Sequence, residues 1–144
     1  MQRSFRRFSR RAALAAAAVG AVTASFVAAP SRGQQNLPAI HFSVPAAVAG
    51  GAPARVQYDL TLPPGLPLAR NPRVRVLNDK GQLWELLPMY ITQRSPSLAG
   101  YRDLNTENYP PGQYRVSVEV DTVGAGGQES TAASPAVTVA LAAP

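Results

Sequence analysis

Apolar side chains recur at every second position along most of the chain past Gln34. Ile40, Phe42 and Val44 alternate with His41 and Ser43; Val56, Tyr58, Leu60 and Leu62 alternate with Arg55, Gln57, Asp59 and Thr61. The same phase returns in Val74 and Val76 between Arg73 and Arg75, and in Tyr114, Val116, Val118 and Val120 between Arg115, Ser117, Glu119 and Asp121. Successive side chains of a strand point to opposite faces, so each run predicts a strand with one buried and one wet face. A last strand is predicted over Ala136 to Leu141. Asn78-Asp79-Lys80-Gly81 reads as a hairpin turn, with glycine where a positive φ is required. Its return arm, Leu83 to Leu87, stops at Pro88, and Met89-Tyr90-Ile91-Thr92 continues as an edge or sheet-switching strand. Proline and glycine punctuate the rest: Pro45 to Pro53, Pro63-Pro64-Gly65, Pro110-Pro111-Gly112 and Gly124 to Gly127. No stretch past Gln34 has a helical period. Six or seven short strands so separated predict one all-β domain over residues 34–144, a two-layer antiparallel sandwich of about seven strands.

Residues 1–33 follow another rule. Of the 14 basic residues, six lie before Gln34, where there is no acid, and the other eight are matched by all eight acids of the chain. The net charge of +6 therefore belongs to the leader, and the domain is neutral. A neutral domain lacks the basic surface that collects phosphate by counterion release, so nucleic acid is not an expected partner. A positive start (Met1 to Arg11), an apolar stretch (Ala12 to Ala29) and small residues before a polar segment are the order of a signal peptide, with cleavage expected between residues 24 and 33. Ser9-Arg10-Arg11-Ala12-Ala13-Leu14 resembles the twin-arginine export motif, with Ala13 where an aromatic usually stands. The apolar stretch is rich in alanine and broken by Gly20, too weakly apolar for a stable membrane span. The expected destination is the periplasm or the medium, without membrane attachment after cleavage. The chain has no cysteine, which excludes disulfides, thiolate metal sites and a lipid-modified cysteine.

Tyr109-Pro110-Pro111-Gly112-Gln113-Tyr114-Arg115-Val116-Ser117-Val118 resembles the corner that leads into the penultimate strand of immunoglobulin-like and fibronectin type III-like domains. The resemblance covers residues 37–142 as a pattern and implies that Gly112 belongs to the corner turn and that Tyr114 is the corner tyrosine, its hydroxyl bonded back to the chain. It further implies that Gly124 to Gly127 form the loop before the final strand. The Cys…Trp…Cys arrangement of antibody domains is absent. Such a likeness implies a scaffold rather than an activity.

The residues offer little catalytic chemistry. Nucleophilic catalysis of the Ser-His-Asp type needs a histidine placed by a carboxylate, and the single histidine, His41, is expected on a wet strand face. Asp103, Asn105 and Glu107 alternate as oxygen donors do in calcium loops, but the required glycine is Asn108 and the late bidentate glutamate falls at Tyr114. Glu119 and Asp121 share one side of a strand and are expected on a wet sheet face. No catalytic residue, metal or cofactor is expected.

Surplus apolar surface is the stronger signal, because interfaces are made of it. Leu83 to Ile91 is apolar on both faces, and Pro63-Pro64-Gly65-Leu66-Pro67-Leu68 is a stiff loop bearing two leucines. The leading expectation is a non-enzymatic exported module that binds another exported protein through Trp84, Leu87, Met89 and Tyr90, or through Leu66 and Leu68. For Trp84 itself, filling the core between the sheets is the plainer expectation. A carbohydrate-binding module that stacks sugars on Trp84, Tyr90 and Tyr101 is the alternative. A metal-binding periplasmic protein centred on His41 or the acids near Asp103 is the third.

Overall fold

The computed structural model describes residues 20–26 and 37–144. Arg10, Arg11 and residues 27–33 of the expected cleavage region 24–33 lie outside the described residues. The fold is all-β, with two sheets, eleven strands and one short 3₁₀ turn at Thr106–Asn108 among the described residues. The first sheet has the order β1-β2-β4-β8-β7, from Ala21–Phe26, Ala39–Pro45, Ala54–Thr61, Leu98–Leu104 and Tyr90–Gln93. The second has the order β3-β11-β9-β5-β6, from Ala47–Val48, Val137–Leu141, Gly112–Val123, Arg73–Leu77 and Leu83–Pro88. A further strand, β10 (Glu129–Ala133), pairs with the later half of β9. All pairings are antiparallel except that of β3 with β11.

The alternation dictates the packing. Ile40, Phe42, Val44, Val56, Tyr58 and Leu60 from the first sheet meet Val74, Val76, Val116, Val118 and Val120 from the second in one buried cluster. Burying each such side chain contributes on the order of 1.5–3 kcal/mol, which is how a chain without disulfides holds two layers together. The Asn78 turn is built as its residues require: Asn78 Oδ1 accepts from the N–H groups of Lys80 and Gln82 at 3.0 and 2.9 Å, and Gly81 has φ 77°.

Strand count exceeds the sequence expectation for identifiable reasons. The strand β8 places Gly100 and Arg102 opposite the inward Tyr58 and Val56, so no apolar alternation announces it. Hairpin partner β10 is polar except for its alanines, and it turns Gly124 to Gly127 into the β9–β10 turn rather than the approach to the last strand. Strand β1 lies within the segment read as leader and pairs with β2 from Ala21 opposite Pro45 to Phe26 opposite Ile40.

Two local contacts fix the corners. Gly112 opens β9 at φ 148°, a backbone state that side chains disfavour, and two residues on the Tyr114 hydroxyl donates to the Pro110 carbonyl at 2.5 Å. At Gly100 in β8 an added Cβ would stand 1.7 Å from the Tyr90 carbonyl oxygen. Glycine there lets β7 lie against β8 while the Tyr58 hydroxyl donates to the same carbonyl at 3.1 Å. Replacing Gly100 by Ala is expected to cost about 2–3 kcal/mol through overpacking against backbone, and Tyr114→Phe about 1 kcal/mol through the lost hydrogen bond. Urea denaturation of the two variants checks both values and their order.

Candidate functional site

The segment Leu83 to Tyr90 ends one sheet and begins the edge of the other. Strand β6 is the last of the second sheet, β7 is the last of the first, and only Met89 separates them. Residue Met89 is clamped there: its N–H donates to the Pro72 carbonyl at 2.8 Å, and its carbonyl accepts from Asn71 Nδ2 at 3.1 Å. Its side chain is 1% exposed and packs in the core. This corrects the sequence expectation, because a buried Met89 anchors the crossover and offers no surface to a partner. Leu87 is likewise inward-facing, half-buried against the core.

Anchoring Met89 leaves its neighbours outside. Leu83, Trp84, Leu86 and Tyr90 are 54, 39, 40 and 53% exposed, four of the five exposed large hydrophobics among the described residues. Leu83 and Leu86 are not among the sequence candidates, because a run that is apolar on both faces does not say which face is the outer one. What inverted the phase is Glu85. It faces inward opposite Val76, and the Tyr109 hydroxyl donates to its carboxylate. Burial first, then that carboxylate, pushes the Tyr109 phenol well above its usual range. An inward-facing charge on an edge strand resists addition of further strands.

Trp84 belongs to both core and surface. Its ring meets Tyr109 and Tyr114 edge-on at centroid distances of 5.8 and 6.4 Å. The buried tyrosine pair supports it from beneath, while its other face remains open. Pairing at this point skips a residue, since Val76 faces Glu85 and Leu77 faces Leu83, so Trp84 sits on a bulge.

Tyr90 and Tyr101 stand side by side on the outer face of the first sheet, 5.4 Å apart and tilted by 55°. Arg55 lies over the Tyr101 ring at 4.2 Å and is held by a two-pronged ion pair with Asp103 at 2.7 and 2.8 Å. That pair holds the Asp103 carboxyl below its ordinary value. Asp103 is therefore engaged by an arginine, and Asn105 caps the following 3₁₀ turn through a bond from Glu107 N–H. Trp84 lies on the other sheet, so the three aromatics of the carbohydrate reading do not form one platform.

Leu66 and Leu68 are half-buried, Leu68 packed against the core and bridged to Thr122. Their segment is laid along β9 by bonds from Ala69 N–H to Asp121 O and from Val123 N–H to Pro67 O, both 2.9 Å. The segment also carries Arg70 over Asp121, which is 3% exposed rather than on a wet face as the alternation implied. Asp121 accepts from Arg70, from Arg73 at 2.9 Å and from Thr131 Oγ1 at 2.6 Å. Glu119 is paired with Arg73 and Arg75, both at 3.2 Å.

His41 lies on the exposed outer face in a depression of about 370 Å³. Ser25 Oγ is 2.7 Å from His41 Nδ1, and Asp59 is the residue opposite His41 on β4. The wiring differs from that of a hydrolase triad, in which the carboxylate holds Nδ1 and the serine meets Nε2. Here the serine occupies Nδ1, and the Asp59 carboxylate accepts from Ser97 Oγ at 3.3 Å. Among the described residues no group of three His, Asp or Glu side chains is placed to share a metal ion.

No known family model matches the chain, and neither a curated protein nor a solved structure is significantly similar to it.

For Asp121, desolvation would raise the carboxyl pKa, but the Thr131 hydrogen bond and the two arginines outweigh it and the net shift is downward from 3.8. A lowered folded-state value stabilises above the unfolded value and is lost as pH falls through the folded one. Asp121→Asn is expected to destabilise the protein by about 1.5–3 kcal/mol near neutrality, with the gap from the parent narrowing below pH 3.8. Urea titrations at neutral and acid pH read both effects.

Proposed function

We propose that this chain is a non-enzymatic exported binding module. Its immunoglobulin-like sandwich is delivered across the membrane by the arginine-rich leader of residues 1–33 and docks on another exported protein. The contact residues are Leu83, Trp84 and Leu86 along the β6 edge of the second sheet and Tyr90 where the chain crosses into the first, with Leu87 half-buried beneath them. The observation that carries this reading is the concentration of exposed large hydrophobics on one eight-residue stretch whose backbone is fixed at both ends of Met89. A rigid corner loses little conformational entropy on docking, and tryptophan and tyrosine are the side chains that most often anchor interfaces. The inward Glu85 and the bulge at Trp84 favour contact through side chains rather than strand addition along β6. The corner tyrosine bonded to Pro110 supports the immunoglobulin-like assignment.

The adjacent Tyr90 and Tyr101 favour carbohydrate as a second reading. Arg55 lies over the Tyr101 ring and Arg102 over the Tyr90 ring, however, so each tyrosine already has a guanidinium against it rather than a bare platform for a sugar.

A photo-crosslinking residue placed at Leu86 in the exporting cell is expected to capture one discrete exported protein, whereas one at exposed Thr61 captures none. Leu83→Glu with Tyr90→Glu is expected to weaken that complex by at least about 30-fold, a ~2 kcal/mol anchor. Absence of an adduct at Leu86, or glycan binding that depends on Tyr90, would overturn the protein-partner reading.

A further inference from the structure

The described strands leave five sheet edges, at β3, β6, β7, β10 and β1. Strand β3 is only two residues long, β6 carries a bulge, an inward carboxylate and Pro88, β7 is four residues with a register shift, and β10 is five residues opening on the charge of Glu129. Short, bulged or charged edges are how proteins deny their open backbone to other strands. The edge at β1 is different. Strand β2 is seven residues with an unbroken register on both sides, and its inward residues Ile40, Phe42 and Val44 are almost wholly buried. Among the described residues it is covered by β1, Ala21–Phe26, which lies within the proposed leader.

The covering strand fits closely. Val22 and Ala24 stand opposite Val44 and Phe42 and pack against the core, while Ala21, Thr23 and Ser25 face outward and are exposed. The Ala46 N–H continues the pairing by donating to the Gly20 carbonyl at 3.1 Å. Cleavage beyond Phe26 would strip a full strand from this edge, opening its backbone groups and the flanks of Phe42 and Val44.

We propose that the β2 edge is a strand-acceptor site, filled by Ala21–Phe26 while the leader is attached and afterwards by an extended segment of a partner chain. This rests on the leader reading under Proposed function. The occupant is defined by what β1 shows the edge accepts: an antiparallel strand with valine- or alanine-sized side chains at alternate positions and small polar ones between. Main-chain bonding supplies affinity in such strand addition, and the alternate side chains supply specificity. Before processing, the leader's own strand shields the edge, so the site becomes available only on the far side of the membrane.

The test uses the protein as its host processes it, with its first residue read by intact mass. A synthetic peptide spanning residues 20–29 with a fluorescent label is then titrated into it. Removal of residues 21–26, followed by saturable binding of the peptide, is the expected result. Val22→Asp in the peptide is expected to weaken binding by about tenfold or more, because a charge is driven toward the core. Thr23→Asp, facing solvent, is expected to change it by no more than about twofold. If mass shows residues 21–26 retained, the leader reading fails and the proposal with it. If they are gone but the peptide does not bind, binds without preference between the two faces, or is excluded because two copies pair along β2, the proposal is overturned while the leader reading stands.

Discussion

The structure turns on the clamp at Met89. A chain leaving one sheet for the other must satisfy its backbone at the crossing and place one side chain on each side of the core boundary. Pro72 and Asn71 take the two backbone groups of Met89, and the core takes its side chain. With that residue fixed, Leu86 and Tyr90 face outward on either side of the crossing. Trp84, lifted on its bulge, rests on Tyr109 and Tyr114 instead of entering the core. The apolar corner is thus a consequence of how the sheets are joined.

Polar contacts elsewhere keep the remainder of the exterior engaged with itself. Arg70, Arg73 and Arg75 interleave with Glu119, Asp121 and Glu129 across the outer face of the second sheet. The same network fastens the proline-rich segment of Leu66 and Leu68 along β9, drawing Leu68 toward the core. Arg55 and Asp103 do likewise beside Tyr101.

Strands were legible wherever one face was uniformly apolar, as in Val56 to Leu60 or Val116 to Val120, because burial and alternation are the same fact there. Legibility failed where tertiary partners set the phase. Glu85 faces inward where Tyr109, 24 residues away, meets it, and with that phase Leu87 and Met89 turn inward while Leu86 stays outside. Asp121 is hidden by a loop whose path no local pattern announces. Strand β8 carries its inward glycine to admit the Tyr90 backbone, a requirement visible only once β7 is beside it. Segment Ala21 to Phe26 reads as leader by composition and as strand by pairing, and alanine-rich sequence is compatible with both. The sheet switch near Pro88 was foreseen, since proline ends a ladder and the apolar run continues past it.

Hydroxyl-radical footprinting of the isolated protein tests this account most directly, because methionine and the aromatics react rapidly wherever solvent reaches them. The account predicts that Trp84 and Tyr90 are modified readily while Met89, the residue before Tyr90, is protected until the protein unfolds. Oxidation of Met89 in the native protein at a rate matching Tyr90, or protection of Trp84 and Tyr90 in the isolated protein, would contradict it.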